Sequence, residues 1–221
     1  MKRIKIRLVI VVCLVWSGVV LADDKGHHGD HEEDFAPVAR TGQVLSYDAN
    51  TPQRDDGALE KGVKLPSPRF VDKGNGTIKD PLTGLIWLKN ANCPGVARQW
   101  QQALDDILSL NTTGKMNNID CRDASGWRGS HRKDWRLPNI RELHSLVDFA
   151  FVGPAISNAT GTGQGSSNDP FSNFQIPYWS ATTVANSSYA WRVFFGHGIV
   201  DGDDKSTFYF VLAVRDNSED E

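Results

Sequence analysis

The chain has 221 residues, 24 basic against 27 acidic side chains and 39 % hydrophobic residues. That is enough length and apolar content for one domain with its own core. A net charge of −3 gives no electrostatic reason to seek phosphate backbones or anionic lipid, so nucleic acid is not an expected partner.

Residues 1–22 differ in kind from the rest. Lys2, Arg3, Lys5 and Arg7 precede a nearly unbroken apolar run of 14 residues, Leu8 to Leu21, and Val20-Leu21-Ala22 ends it before Asp23. A basic start, an apolar stretch and small residues at the −3 and −1 positions predict a cleaved secretory signal peptide. The run falls short of the roughly 20 residues that span a bilayer, and no later segment reads as transmembrane. Cys13 lies inside the apolar stretch, behind Val11-Val12, which argues against a lipid anchor there. The expected location is outside the cytoplasm: periplasmic, cell-surface or secreted. The leader holds four of the basic residues and no acidic one, so cleavage would leave a chain of net charge −7.

Two cysteines then remain, Cys93 and Cys121. In an oxidising compartment an even pair favours a disulfide over two buried thiols. Residues 23–40 are acidic and His-rich, without apolar periodicity, and are expected to be a disordered leader. Their histidines, His27, His28 and His31, suit Zn²⁺ or Cu²⁺ as well as plain solvation. Residues 41–68, punctuated by Pro52, Pro66 and Pro68, are expected to wrap a single domain over 41–216 as an irregular segment. An acidic tail, 217–221, follows that domain.

Arg69–Asp80 predicts a β-hairpin turning at Asn75-Gly76, because a type I′ turn needs two left-handed positions. Its Asp and Asn spacing also resembles a calcium loop, but the closing Glu of an EF-hand is missing. Leu85–Leu88 is a short buried strand. Trp100, Ala103, Leu104, Ile107 and Leu108 form one apolar stripe at helical spacing over 100–111, with Gln101, Gln102, Asp105 and Asp106 facing water. A second helix starts at Asn139, with Glu142 three residues on as its capping-box partner, and buries Ile140, Leu143, Leu146, Val147 and Ala150. Residues 152–177 form a long Gly-, Ser- and Pro-rich loop, either functional or floppy. Four strands close the chain: Tyr178–Thr183, the alternating Tyr189, Trp191, Val193 and Phe195, the short Ile199-Val200, and the alternating Phe208, Phe210, Leu212 and Val214. Turns at 196–198 and 202–206 would make them a meander.

These residues in this order resemble the Lcl C-terminal domain family of exported bacterial proteins. The resemblance is carried by Arg69–Asp80, Thr83–Cys93, Trp100–Leu104, the Asp134-Trp-Arg-Leu-Pro-Asn139 run with Glu142-Leu143, Tyr178–Thr183 and Ser188–Val193. It implies an α+β fold with a C-type-lectin-like arrangement, two main helices packed on short twisted antiparallel sheets and one disulfide. The family is named after a collagen-like adhesin, but this chain has no Gly-X-Y repeat, and its acidity argues against anionic glycosaminoglycans. The related formylglycine-generating enzymes use a reactive cysteine pair; the simpler reading of Cys93 and Cys121 is a structural staple.

Catalytic patterns are missing: no Gly-x-Ser-x-Gly elbow, His-Glu-x-x-His or phosphate loop occurs. His144 and His197 read as an edge residue and a solvated turn residue. Trp87, Trp100, Trp135, Trp179 and Trp191 read as core. Trp127, with Arg128 and His131, lies in a polar loop where an exposed ring could stack on a sugar or peptide, or fold over the disulfide instead. Asp201, Asp203 and Asp204 sit in an acidic turn that could ligate Ca²⁺ or stay solvated. The expected function is a non-enzymatic binding or adhesion module for a glycan or protein ligand; the alternatives are an enzyme acting on envelope polymers and a structural envelope protein.

Overall fold

The structure is a computed structural model and describes residues 38–121 and 133–217, all within one unit of the chain. Residues 38–40, expected at the end of a disordered leader, are ordered: Ala39 forms a parallel bridge with Val63. The wrap that follows carries one helical turn, α1 (Asp56–Leu59).

Strands β1 (Val71–Asp72) and β2 (Thr77–Lys79) form the predicted hairpin, with Asp72 opposite Ile78. The turn differs from expectation. Its left-handed residues are Gly74 and Gly76, on either side of Asn75, so four residues rather than an Asn-Gly pair make the reversal. Lys73 N–H closes it on Thr77 O at 3.0 Å. Strand β3 (Ile86–Leu88) is buried throughout, as a strand covered on both faces must be. Its alternation splits the core in two: Trp87 enters one apolar cluster, Ile86 and Leu88 the other.

The second of these clusters is covered by α2 (Trp100–Thr113), through Ala103, Ile107 and Leu110. Two residues depart from the predicted stripe. Leu108 is 65 % exposed, while Asp106 is buried because Arg98 reaches across to it at 2.6 Å. A hairpin of β4 (Lys115–Met116) and β5 (Ile119–Asp120) then leads to Cys121. Cys121 is disulfide-bonded to Cys93 with a Cα–Cα separation of 5.6 Å. Both sulfurs lie in the α2-side cluster.

The Trp-Arg-Leu-Pro run builds the entry to α3 (Ile140–His144). Asn111 brackets the Trp135 backbone with bonds of 2.8 and 3.0 Å. Arg136 grips Glu142 with two bonds, 2.6 and 2.9 Å. Glu142 in turn accepts the Asn139 N–H at 2.8 Å, while the Asn139 side chain accepts from the Arg141 and Glu142 N–H groups. The predicted capping box is therefore present and is locked by the Trp-Arg-Leu-Pro run. The helix itself is much shorter than its apolar pattern suggests. Leu146 and Val147 still pack on the other cluster from the turn beyond it, but Ala150 is exposed.

Residues 152–177 hold no regular element, yet Ile156, Phe171 and Phe174 are buried in that same cluster. The loop is a packed part of the core. Strands β6 (Tyr178–Thr183), β7 (Tyr189–Phe194) and β8 (Ile199–Asp204) form an antiparallel meander in that order. Trp191 is only half-buried and Tyr189 exposed; Ala190, Val193 and Phe195 face inward. The last predicted strand does not pair with β8; it meets the meander only through a single parallel bridge from Phe210 to Tyr178 of β6. Its only ladder is β9 (Val214–Arg215), which pairs with β3 and completes a sheet ordered β1-β2-β3-β9. Val211 to Val214 are all buried, alternating between the two clusters, while Phe208 is 56 % exposed. A segment caught between two cores loses the in-out alternation that an edge strand would show. The fold is α+β, with helices on short antiparallel sheets and one disulfide, an architecture compatible with a C-type-lectin-like arrangement.

Candidate functional site

The aromatic site predicted at Trp127, Arg128 and His131 lies outside the described residues, as do the histidines of the leader. The acidic run at Asp201, Asp203 and Asp204 is described, and it is strand rather than turn. Asp201 and Asp203, two apart on β8, share a face and flank Arg192, each at 3.5 Å. The Arg192 guanidinium lies 5.1 Å from the centre of the Tyr209 ring, and the Tyr209 hydroxyl donates to Asp203. That bond holds the Asp203 carboxyl below its ordinary range, while burial and the same bond push the Tyr209 hydroxyl up to about 12. Asp204 accepts the Ser206 N–H at 2.9 Å and the Ser206 hydroxyl at 2.7 Å, which keep it low. Asp203 and Asp204 are thus occupied by the protein's own donors. Among the described residues no group of three or more His, Cys, Asp or Glu side chains is placed to hold a metal.

The feature that stands out is a cleft of about 600 Å³ between the 40–67 wrap and residues 148–162. The wrap is fastened along its length. Thr41 O accepts the Phe149 N–H at 2.9 Å, Val63 O accepts the Arg40 N–H at 2.9 Å, and the Ser67 hydroxyl donates to Thr160 O at 3.1 Å. Arg40 pairs with Glu60 across it. The walls are largely apolar, with Val44, Leu45, Phe149, Phe151 and Val152 among them, and the exposed ring of Tyr47 stands at the rim.

Asp148 is the one carboxyl buried in these walls, 6 % exposed. It follows the α3 turn, where its own N–H is tied to Ala155 O at 3.0 Å. Oδ1 accepts the Ala150 N–H at 2.9 Å; Oδ2 has no hydrogen-bond partner among the described residues. Burial raises the carboxyl's pKa, against the opposing pull of that N–H and of Arg69. Gly42, at φ +93°, lets the wrap pass directly over it: a Cβ there would lie 2.0 Å from Oδ1. Only glycine allows both the left-handed backbone and the close approach. Sequence reading missed this site. The available signal was a carboxylate at the end of a capped helix followed by Phe149-Ala150-Phe151-Val152, an apolar run continuing past the helix that should have buried it.

His144, by contrast, is half-buried edge-on against Phe149, with burial lowering its pKa. His197 is exposed and stacks on Phe194. Neither Cys93 nor Cys121 is free.

Motif-locked helix cap, disulfide and paired antiparallel sheets together define a small stapled α+β domain. The sequence pattern of the Lcl C-terminal domain family matches residues 76–215, and the chain belongs to that family. No curated protein matches the chain. One wall of the cleft, 148–162, lies within the matched residues; the other, 40–67, precedes them.

Proposed function

We propose that this protein is an exported, non-enzymatic binding module that takes a glycan or protein ligand of the envelope or extracellular space into the cleft beneath the 40–67 wrap. The observation that carries this reading is the cleft itself: a concave, mostly apolar site with a few polar groups converging on it, the usual form of a ligand site. Export is supported by the leader pattern and agrees with the Cys93–Cys121 disulfide. The test is binding of the purified chain to glycan and matrix-protein arrays at near-physiological salt, with and without calcium, beside a Leu45→Asp variant that charges the rim. Binding by the parent and loss in the variant are expected. Binding that Leu45→Asp leaves intact would move the site elsewhere, and turnover of a glycan or peptide would replace the module with an enzyme. A calcium requirement would return attention to Asp201, Asp203 and Asp204.

A further inference from the structure

We infer that the cleft recognises a cationic group of its ligand, a primary ammonium that seats on Asp148 beside an apolar body that lies against Phe149, Phe151 and Val152. The inference rests on the cleft being the ligand site and adds the ligand's chemistry.

The Asp148 carboxyl is nine-tenths buried, spends one oxygen on the Ala150 N–H and leaves Oδ2 without a partner. It lines the cleft, so a bound donor can reach it. The cations nearby do not serve it. Arg40 is paired with Glu60, and Arg69 is committed to Asp80 and to Ser145 O. Lys64 also lines the cleft and has no acidic partner within ion-pair distance among the described residues. It works against cationic ligands in general and so requires that the ammonium sit on Asp148 itself, not merely somewhere in the cleft.

An ammonium is favoured over a hydroxyl by the strength of the contact. A charge-assisted N–H···O bond is roughly twice as strong as a neutral one, and an unpaired carboxylate in a poorly solvated wall gains most from an opposite charge. Anions are disfavoured by the same carboxylate. Burial already holds the Asp148 proton more tightly than usual, and a seated ammonium would oppose that by stabilising the ionised form. Affinity for an amine should therefore rise with pH as Asp148 ionises. The charge that acts on Asp148 is Arg69 from the strand entry; Arg40, Glu60 and Lys64 of the wrap are the other charged groups lining the cleft.

The test compares three probes of one shape: phenethylamine, 2-phenylethanol and 3-phenylpropionate. Each is titrated at pH 7 into the full chain and followed by amide chemical shifts. The amine should move the resonances of Gly42, Phe149 and Val152 and bind at least about tenfold tighter than the other two. Asp148→Asn should remove that preference, bringing the amine's affinity into the range of the alcohol's in the same variant. An alcohol or carboxylate that binds as tightly as the amine overturns the inference on the parent protein alone, whether or not the variant folds, and leaves the cleft standing as a site for neutral or acidic ligands. Unchanged amine affinity in Asp148→Asn also overturns it. If no probe moves a cleft resonance the cation reading falls, and the array result with Leu45→Asp decides separately whether the cleft binds anything.

Discussion

Arg69 and Asp80 form an ion pair with 3 % and 0 % of their side chains exposed, and removing the arginine should be among the most damaging single changes in the domain. Asp80 Oδ1 also accepts the Leu82 N–H at 2.8 Å, but Oδ2 has no partner among the described residues. Arg69→Met would leave that carboxylate buried and uncompensated. It would also take a donor from Ser145 O, bonded at 2.9 Å, and the guanidinium from above the Phe70 ring. Breaking a buried pair from one side costs about 3–5 kcal/mol. For a domain of this size each kcal/mol shifts Tm by roughly 2–4 °C, so a fall of roughly 6–20 °C is expected. Urea melts followed by tryptophan fluorescence, on Arg69→Met, Asp80→Leu and the double variant, test the reasoning. The double variant should recover most of the loss, because two apolar side chains of similar volume bear no desolvation penalty. A cost below about 1 kcal/mol for Arg69→Met, or a double variant no better than the worse single one, would refute it.

Reducing the Cys93–Cys121 bond, which closes a separation of 28 residues, should cost about 3–4 kcal/mol on the chain-entropy account, read as a drop in the urea midpoint with reductant. Asn139→Ala removes the two bonds to the Arg141 and Glu142 N–H groups and should cost about 1 kcal/mol, whereas Asn139→Asp, which keeps the acceptor, should cost little. Folding holds the Asp148 carboxyl above its unfolded value of about 3.9, so the folded state binds that proton more tightly. The stability it contributes is full below the unfolded value and is lost as pH rises through the folded one. The parent should therefore lose stability relative to Asp148→Asn as pH rises above about 4, measured as the difference in urea midpoint at successive pH values; a constant difference would contradict the assignment.

What the sequence made legible was local chemistry. The Asn139 cap with Glu142, the hairpin before β3 and the start of α2 at Trp100 are written in short-range signals, and each formed. The disulfide followed from a count of cysteines and the expectation of an oxidising compartment. What stayed hidden depended on what lies across the core. Asp106 reads as solvent-facing on a helical wheel, yet Arg98 brings it inside. Asp201, Gly202, Asp203 and Asp204 read as a turn because acidic and glycine residues disfavour strands; six-residue pairing with β7, and Arg192 between two carboxylates, overrode that preference. The strand at 208–214 was assigned to its sequence neighbour, although its partner, β3, lies more than a hundred residues earlier. The cleft was hidden for the same reason: its walls are brought together only by the path of the wrap.

The wrap holds a particular place in this arrangement. None of its residues, 38–67, belongs to either core cluster; the first core residue after it is Phe70. Its ties to the other wall are few, chiefly Thr41 O to the Phe149 N–H and the Ser67 hydroxyl to Thr160 O, each worth about 0.5–1.5 kcal/mol net. A chain starting at residue 68 should then fold with a loss of only about 1–3 kcal/mol. Its Asp148 carboxyl, no longer covered by Gly42, should return toward the ordinary carboxylate range, which an NMR pH titration of the side chain reads directly. Ligand binding in the cleft should vanish while the disulfide and the helix cap remain intact. A truncated chain that cannot fold would show that the wrap is part of the core after all. If it folds and keeps Asp148 raised, the burial that raises that carboxyl comes from 149–155 alone, and the wrap is a cover rather than a wall.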